Sequence, residues 1–306
     1  MTRTTARIIV LLMIGMLAWG VQASERKLVG FAQDTLGNDW RVAQVREVKQ
    51  VLAEYPEIDF IYTDAQGETS LQAHHIEKLA EQGVDLIITS PRDQDALTPV
   101  IEQVYRQGVP VILLSRSISN DSYTSFVTLN NRAIAQSAAR YLVEQLEGRG
   151  KILMLEGVAG ASTTQDRTEG FMQVVKDYPD IQVTKRTANF LRADAILAVS
   201  ELIAEGVEFD AIYSQSDSMA TGARMALTQA GIDPGSLLIA GIDFISEAQE
   251  AIRNGEQSIS FTYQTGGAEG ARLAVQILQG KEVPKQVTLD SIAVTRDNVD
   301  QVEPIF

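Results

Sequence analysis

The residues best able to do chemistry in this sequence are a small group of arginines, carboxylates, amides and aromatics. Arginine, carboxylate and amide groups exchange paired hydrogen bonds with neighbouring hydroxyls, and aromatic rings lie against the apolar C–H face of a sugar ring. Brought together, these side chains suit a polyhydroxylated ligand. The candidates are Asp34, Asn38, Trp40, Arg41, Ser115, Arg116, Arg167, Phe190, Ser216, Asp217 and Asp243.

Each candidate also has a purely structural interpretation. Asn38 could cap the helix that follows it, and Trp40 could pack inside a lobe. Arg116 and Arg167 could form surface or linker salt bridges, which contribute little to stability. The ligand interpretation is favoured because the whole mixture follows predicted strands, and open parallel sheets bind ligands beyond the carboxyl ends of their strands.

The elements that must position these residues alternate between strand and helix. Short β-branched runs are separated by segments whose apolar residues recur at helical spacing. Such alternation predicts right-handed crossovers and parallel sheets covered on both faces. The strands predicted in the first half are Leu28–Ala32, Asp59–Tyr62, Leu86–Thr89 and Val111–Leu114.

The same pattern restarts in the second half of the chain. The fold class is therefore predicted as α/β, with two similar doubly wound parallel-sheet lobes. The segment Ser115–Thr128 is rich in Ser, Asn and Asp, which favours a linker between the halves. The second-half strands are predicted at Lys151–Leu155, Ile181–Thr184, Ala211–Ser214 and Leu237–Ala240, with helices such as Asn131–Leu146 and Asp217–Ala230.

The N-terminus is typical of a secretory signal peptide. Arg3 and Arg7 precede an apolar run, Ile8–Gly20, which is followed by small residues at the positions that a signal peptidase recognises. The run is shorter than the roughly 20 residues that cross a bilayer. We therefore predict cleavage after Ala23, export to the periplasm, and a mature chain that is not inserted in the membrane.

Composition excludes several classes of function. The formal net charge is −14, so the chain repels nucleic acid and anionic lipid. The absence of cysteine excludes disulfides, thiolate metal sites and cysteine nucleophiles, and it disfavours a lipid-anchored N-terminus. The two histidines, His74 and His75, are adjacent on a predicted helix and point about 100° apart, so they do not suit one metal. No metal and no cofactor are expected, and the protein is expected to be monomeric.

Five motifs give the sequence a family resemblance. From about Lys27 to Val299 it resembles the periplasmic sugar-binding proteins of ABC importers, the ribose-binding and galactofuranose-binding branch of the type I fold that is shared with the LacI ligand domain. The motifs are Thr35–Arg41, Gly108–Ile112 running into Ser115-Arg116, Glu156–Ser162 ending in Arg167–Phe171, Ser216–Ala223, and Gly241-Ile242-Asp243.

This resemblance implies roles for individual residues. Asn38 would hydrogen-bond the sugar, and Trp40 and Phe190 would sandwich its ring. Arg116 and Arg167 would bind ring or hydroxyl oxygens, and Asp243 would accept from two hydroxyls. Gln264 is similar to a glutamine of the relatives, and Tyr263 before it would add a third aromatic.

Three positions qualify the resemblance. The family usually has Asp where this chain has Ser115 and Asn where it has Ser216, so two larger hydrogen-bonding groups are replaced by hydroxyls. Losing a partner for a buried sugar hydroxyl costs roughly 1–3 kcal/mol unless water substitutes. The pair Trp40-Arg41 is closer to the galactofuranose type, and the sugar is expected to be a pentose or hexose, including furanose forms.

The resemblance also implies a hinge that the chain crosses three times. The N-terminal lobe is expected at residues 24–118 plus 264–289, and the C-terminal lobe at residues 119–263 plus 290–306. Ligand bridging the two lobes would stabilise a closed state, because a ligand shifts a population only by binding one conformer better.

The expected function is capture of a small sugar and its delivery to an ABC permease. The alternative is a sensing subunit that presents its ligand-bound form to a sensor kinase or chemoreceptor. An enzyme is disfavoured, because no Gly-x-Ser-x-Gly elbow or P-loop is present and no base is placed beside a nucleophile. A repressor of the same ligand-domain type is excluded, because no helix-turn-helix precedes the first strand.

Overall fold

The computed structural model describes residues 26–306. The predicted signal peptide, residues 1–23, lies outside the described residues. Within the described part of the chain, no helix has the length and apolar character needed to span a membrane.

The first sheet has six strands, and all of its strand pairs are parallel. Its order is β11-β5-β4-β3-β1-β2, for β1 (Lys27–Gln33), β2 (Ile58–Asp64), β3 (Leu86–Thr89), β4 (Val111–Leu114), β5 (Ser125–Leu129) and β11 (Gln286–Leu289). One face is covered by α1 (Asp39–Leu52) and α9 (Gly267–Leu278), and the other by α2 (Thr69–Glu81) and α3 (Gln94–Arg106).

The second sheet repeats this arrangement with four parallel strands. Its order is β7-β6-β8-β9, for β6 (Arg149–Glu156), β7 (Asp180–Thr187), β8 (Ala211–Ser214) and β9 (Leu238–Ala240). One face is covered by α4 (Asn131–Gln145) and α5 (Ser162–Val175), and the other by α6 (Arg192–Ala204) and α7 (Asp217–Gln229). The remaining elements are α8 (Ser246–Asn254) and an antiparallel pair, β10 (Ser260–Phe261) and β12 (Ala293–Val294).

The central strands show why the sheets lie between two helical layers. Every residue of β3, β4 and β8 is buried, and these strands are short, nearly continuous apolar runs. A strand that is buried on both faces has this composition, whereas a half-exposed strand alternates. The α/β fold class with two doubly wound sheets is therefore confirmed.

Strand β5 differs from the sequence prediction. It was expected partly as linker and, from the boundary at residue 118, as part of the C-terminal lobe. Instead Ser125–Leu129 pairs in parallel with β4 and β11, inside the first sheet. The physical reason is local, because the polar linker composition ends before Phe126, and Val127 and Leu129 are buried apolar residues. The chain leaves the first sheet only after Leu129.

The chain passes between the two sheets at three places. It crosses from β5 to α4, from β10 to α9, and from β11 to β12. The three crossings join the first sheet and its covering helices to elements that lie outside them.

Candidate ligand-binding cleft

One cavity lies between the carboxyl ends of the strands of the two sheets. It measures about 500 Å³, including the part that opens to solvent. A cavity of this size, lined by aromatic and a few convergent polar groups, is typical of small-molecule sites. Eleven of the thirteen predicted site residues line it: Asp34, Asn38, Trp40, Arg41, Ser115, Arg116, Arg167, Phe190, Ser216, Asp243 and Tyr263.

Helix starts bring several of these side chains to the cavity. Asn38 is the N-cap of α1, and its Oδ1 accepts from the backbone N–H groups of Trp40 at 2.9 Å and Arg41 at 3.3 Å. Ser216 caps α7 by accepting from Met219 N. Capping, the structural alternative for Asn38, is thus present, and it leaves Nδ2 pointing across the cleft, where it donates to Phe190 O at 2.7 Å.

The wall that follows the first sheet carries a buried charge network. We call it the first wall and define it by Asp34, Arg41 and Arg116. Asp34 Oδ2 accepts from Arg116 Nη1 at 2.7 Å, and Asp34 Oδ1 lies 3.2 Å from Arg41 Nε. Arg41 Nη1 also donates to Ser90 Oγ at 2.7 Å and Ser115 Oγ at 3.3 Å.

The arginines of the first wall stabilise the charge of Asp34, whereas burial and the neighbouring Arg116 lower the pKa of Arg41 to about 9. Burial opposes ionisation of Asp34, but the guanidinium groups of Arg116 and Arg41 outweigh it and hold the pKa of Asp34 below its usual value. The carboxylate next to Arg116 is therefore supplied by Asp34, which follows strand β1, whereas the resemblance implied an acidic residue at the position of Ser115.

The opposite wall is built differently. We call it the second wall and define it by Arg167, Phe190 and Asp243. Arg167 Nε donates to Asn131 Oδ1 at 2.9 Å and Nη1 donates to the carbonyl of Gln215, so both of its acceptors are neutral. Burial raises the pKa of Asp243 well above its usual value, and Arg167 offsets only part of this.

Three aromatic rings frame the cavity. Trp40 and Tyr263 have ring centroids 5.9 Å apart, and Trp40 Nε1 donates to Tyr263 O at 3.1 Å. The guanidinium carbon of Arg167 lies 4.4 Å from the Tyr263 ring centroid, within cation–π distance. Phe190 is approached by Arg116 at 5.5 Å and by Arg167 at 5.9 Å.

Phe190 owes its position to a glycine. Its backbone has a φ of +62°, and its ring lies over Gly157. A Cβ atom at Gly157 would lie 1.9 Å from Phe190 Cζ, which no side-chain adjustment tolerates while the ring stays in place. Gly157, part of the quoted Glu156–Ser162 motif, is therefore the residue that lets the ring enter the cleft.

Some buried polar atoms of the cleft have no hydrogen-bond partner among the described residues. They are Asp34 Oδ1, which is not aligned for a hydrogen bond to Arg41, together with Arg116 Nε and Tyr263 Oη. Buried polar atoms are nearly always paired, and an unpaired one costs about 1–3 kcal/mol. A ligand with hydroxyl or anionic oxygens could pair them.

Direct contacts join the two sides around the cavity. Besides the bond from Asn38 to Phe190, Gln94 N donates to Gly160 O at 2.8 Å, and Ser117 N donates to Ser162 Oγ at 2.9 Å. Gly160 is close enough that a Cβ there would lie 2.1 Å from Asp93 Oδ2. The structure therefore shows the cleft with its two sides in contact.

Two predicted site residues are not brought into the cavity. Asp217 is fully buried within the second lobe, where it accepts from Gln257 Nε2 at 2.7 Å, Phe244 N at 2.7 Å and Ser260 Oγ at 2.5 Å. It begins α7 with its carboxylate turned inward, and burial raises its pKa to about 6. Gln264 is exposed and contributes to a different surface depression, near Glu47.

The sequence interpretation missed five residues that line the cavity. One of them, Arg92, follows β3, and the strand-end argument applied to that strand would have found it. Asn189 has a φ of +52° and directly precedes Phe190. The five residues are Thr35, Arg92, Val158, Thr163 and Asn189.

The histidine pair lies away from this cavity, on α2, with ring centroids 6.4 Å apart. In the described range, residues 26–306, no three His, Cys, Asp or Glu side chains are grouped so that they could hold a metal ion.

Known proteins resemble this chain over most of its length. A family model described as a periplasmic binding protein domain matches residues 29–282. The xylitol-binding protein of Mycolicibacterium smegmatis is 30% identical over 264 residues, which cover 85% of this chain and 75% of that protein. The ribose import binding protein of Bacillus subtilis is 29% identical over 262 residues, which cover 85% of this chain and 84% of that protein.

A solved structure supports the same relationship. The fructose-binding periplasmic domain of a hybrid two-component system superimposes with a TM-score of 0.84 at 28% identity, covering 90% of this chain and 93% of that one. These relatives are substrate-binding proteins and not enzymes. Together with the two doubly wound sheets and the cleft between them, these matches show that this chain belongs to the periplasmic binding protein family and has its type I fold.

Proposed function

We propose that this protein captures one small sugar in the cleft and delivers it to the permease of an ABC importer. The observation that carries the proposal is convergence, because arginine, carboxylate and aromatic side chains from both sides line one cavity. This mixture matches a ligand with an apolar ring face and several hydroxyls. The relatives that are named for xylitol and ribose support the same substrate class.

The geometry suggests how a sugar would be held. Trp40, Tyr263 and Phe190 would cover its apolar faces, and the buried Arg116 and Arg167 would donate charge-assisted hydrogen bonds to its oxygens. Asp243 lines the cavity and would exchange hydrogen bonds with hydroxyls, because burial favours its protonated form, which can both donate and accept. Ser115 and Ser216 would add short hydroxyl contacts.

Lobe closure would convert binding into a signal for the partner. With β5 assigned to the first sheet, the first lobe would comprise β1 to β5, α1 to α3, α9 and β11, and the second lobe would comprise the other elements. The contacts from Asn38 to Phe190 and from Gln94 to Gly160 join the two lobes. A ligand that contacts both walls would favour this closed form and thereby shift the population toward it.

The predicted signal peptide and the family support a working compartment outside the inner membrane. We infer that the mature protein acts in the periplasm, where it would encounter the sugar before the permease does. The absence of cysteine is compatible with that oxidising compartment.

A ligand screen tests the proposal. Mature protein is mixed with pentoses, hexoses, polyols and furanose forms, and the melting temperature is measured, with calorimetry for each hit. We expect one compound to raise the melting temperature and to bind with one-to-one stoichiometry. Arg167→Ala should abolish the shift, while Arg140→Ala, on the exposed side of α4, should retain it. A wild-type protein that no sugar or sugar derivative stabilises would refute the proposal.

One observation favours a second role. The fructose-binding neighbour is a domain of a hybrid two-component system, so the same fold can serve a sensor. Deleting the gene separates the two roles. If the protein feeds a permease, uptake of the labelled ligand falls; if it serves a sensor, uptake persists and the transcriptional response to the ligand is lost.

A further inference from the structure

The cavity holds more positive than negative groups. Four arginines line it, namely Arg41, Arg92, Arg116 and Arg167, against only two carboxylates, Asp34 and Asp243. A neutral sugar needs hydrogen-bond donors and acceptors but no net charge from its site. The excess of guanidinium groups therefore asks for an explanation beyond hydroxyl binding.

The pairing of these groups leaves the excess uncompensated. Arg41 and Arg116 share a single carboxylate, that of Asp34. Arg167 bonds to neutral acceptors only, and neither Arg167 nor Arg92 has a carboxylate within 4.0 Å among residues 26–306. Two arginines of the cavity thus lack an ion-pair partner.

A buried hydrogen-bond donor and the N-terminus of a helix also favour an anion in the cavity. Arg116 is 2% exposed, and its Nε has no hydrogen-bond partner in the described part of the chain. Helix α5 begins at the cavity, where Thr163 of its first turn is a lining residue, and its N-cap, Ala161, has no side chain that could cap it. The N-terminus of a 14-residue helix adds partial positive charge to the cavity.

The excess of arginines over carboxylates in the cavity does not follow from the composition of the whole chain. The whole chain has a formal net charge of −14, so its surface repels anions at long range. Positive groups are nevertheless concentrated where the chain buries its ligand. Burying unpaired like charges is costly, and an anion placed among them would remove that cost as the cleft closes.

We propose that the ligand of this cleft is an anionic sugar, a polyhydroxylated compound that carries one carboxylate or phosphate group. The inference rests on the proposed function, since it assumes that the cavity binds a sugar. The donors available to the anionic oxygens are Arg116 Nε, the guanidinium group of Arg92, and the N–H groups of Arg167 that do not already bond to Asn131 and Gln215. Charge-assisted bonds of this kind are stronger than bonds to hydroxyls.

Matched pairs of ligands test this inference. Calorimetry with mature protein compares galactose with galacturonate, glucose with glucuronate and gluconate, and ribose with ribonate and ribose 5-phosphate. In at least one pair we expect the acidic member to bind ten-fold or more tightly than its neutral parent. Tighter binding of ribonate, gluconate or a uronate than of the neutral parent would identify the anionic group as a carboxylate. Tighter binding of ribose 5-phosphate alone would identify it as a phosphate. Raising the salt concentration should reduce the preference.

A variant adds a second readout. Arg92→Gln should narrow the ratio between the acidic and the neutral member of the best pair, whereas Arg140→Gln, a matched change outside the cavity, should leave that ratio as in the wild type. If neutral sugars bind and their acids bind equally or more weakly, the anion inference fails while the sugar-binding function stands. If no compound of either set binds, the anion inference fails, and the broader ligand screen described above decides separately whether the sugar-binding function stands.

Discussion

The two walls of the cleft present similar residue types but support them in different ways. In the first wall, Asp34 forms an ion pair with Arg41 and another with Arg116, all beside the first sheet. In the second wall, Arg167 rests on the neutral acceptors Asn131 and Gln215, while burial disfavours the charge of Asp243. The arginines of the first wall thus outweigh the effect of burial on the pKa of Asp34, whereas Arg167 offsets only part of the effect of burial on the pKa of Asp243.

This difference separates stability from affinity. A group that is ion-paired inside its own lobe contributes to that lobe whether or not ligand is present. A group that bonds only to neutral acceptors has its charge available for ligand. The contrast predicts that equivalent mutations in the two walls will be detected by different measurements.

The largest expected effect is on stability. Arg116→Ala would leave the buried Asp34 with a single guanidinium neighbour, so we expect the free energy of unfolding to fall by about 3–5 kcal/mol. Arg167→Ala removes two bonds to neutral acceptors and a cation–π contact with Tyr263, and it leaves Asp243, whose charge burial already disfavours, without the arginine that most offsets that effect. The expected cost is smaller, about 1 kcal/mol. Urea unfolding of both ligand-free variants measures this, and equal losses would contradict the contrast between the walls.

Ligand affinity should depend strongly on Arg167, although stability depends on it little. Arg167→Ala is expected to weaken ligand binding by about 2–4 kcal/mol in calorimetry, because a charge-assisted donor is lost from the closed cleft. Its ligand-free melting temperature should stay near that of the wild type. If Arg167→Ala unfolds the protein instead, Arg167 is a structural residue and the second wall is misassigned.

The pH dependence of stability distinguishes two buried carboxyl groups. Burial raises the pKa of Asp217 to about 6, so the folded state holds this proton more tightly than the unfolded state does. The resulting stabilisation is present at low pH and is lost as the pH rises from about 4 to about 6, a change of about 3 kcal/mol at roughly 1.4 kcal/mol per pKa unit. Wild type should therefore lose this amount relative to Asp217→Asn over that range.

Asp34 provides the matched comparison. Its pKa is lowered in the folded state, so its contribution is lost only as the pH falls below about 4, and it is constant between pH 4 and 7. The difference in unfolding free energy between wild type and Asp34→Asn should therefore be flat over that range. Unfolding curves at several pH values measure both differences, and parallel behaviour of the two pairs would contradict the assigned directions.

The smallest expected effect is spectroscopic. Trp40 is the single tryptophan of the described residues, since Trp19 lies in the predicted signal peptide. In this closed arrangement Trp40 contacts Tyr263 and is 6% exposed. Ligand should change its emission and reduce quenching by acrylamide, because opening of the lobes would separate the two rings. If a ligand that binds in calorimetry leaves the fluorescence unchanged, the environment of Trp40 does not change on binding, and Trp40 is a core residue instead of a ligand contact.

Much of the cleft was predictable because strand ends and helix starts can be recognised locally. Three site residues follow apolar runs that could only be buried strands, namely Asn38, Arg116 and Ser216. Their location at the carboxyl ends of the strands could therefore be predicted from the sequence. The strand-end rule fails where the orientation of a side chain decides whether it reaches the cleft. Asp217 follows Ser216 directly, but its carboxylate turns inward to Ser260 and Gln257, and residue order does not encode that rotation.

Long-range pairing lay beyond the sequence argument as well. The ion pair between Asp34 and Arg116 joins residues 82 positions apart on non-adjacent strands. The strand Ser125–Leu129 was obscured because a polar stretch precedes it, although it contains the apolar residues Phe126, Val127 and Leu129. Both features depend on which strands become neighbours, which local composition does not determine.

The bond that Asn38 donates across the cleft has an evolutionary consequence. Its acceptor is the backbone carbonyl of residue 190, so the latch between the lobes is independent of the side chain at that position. Descendants could exchange Phe190 to explore new ligands while they retain the closing contact. The positive φ restricts this exploration, because β-branched residues are strained there, and Gly157 is released from its constraint once the ring is gone. Residue 190 can thus change during evolution, but only to the few residue types that tolerate a positive φ, and its identity is coupled to that of Gly157.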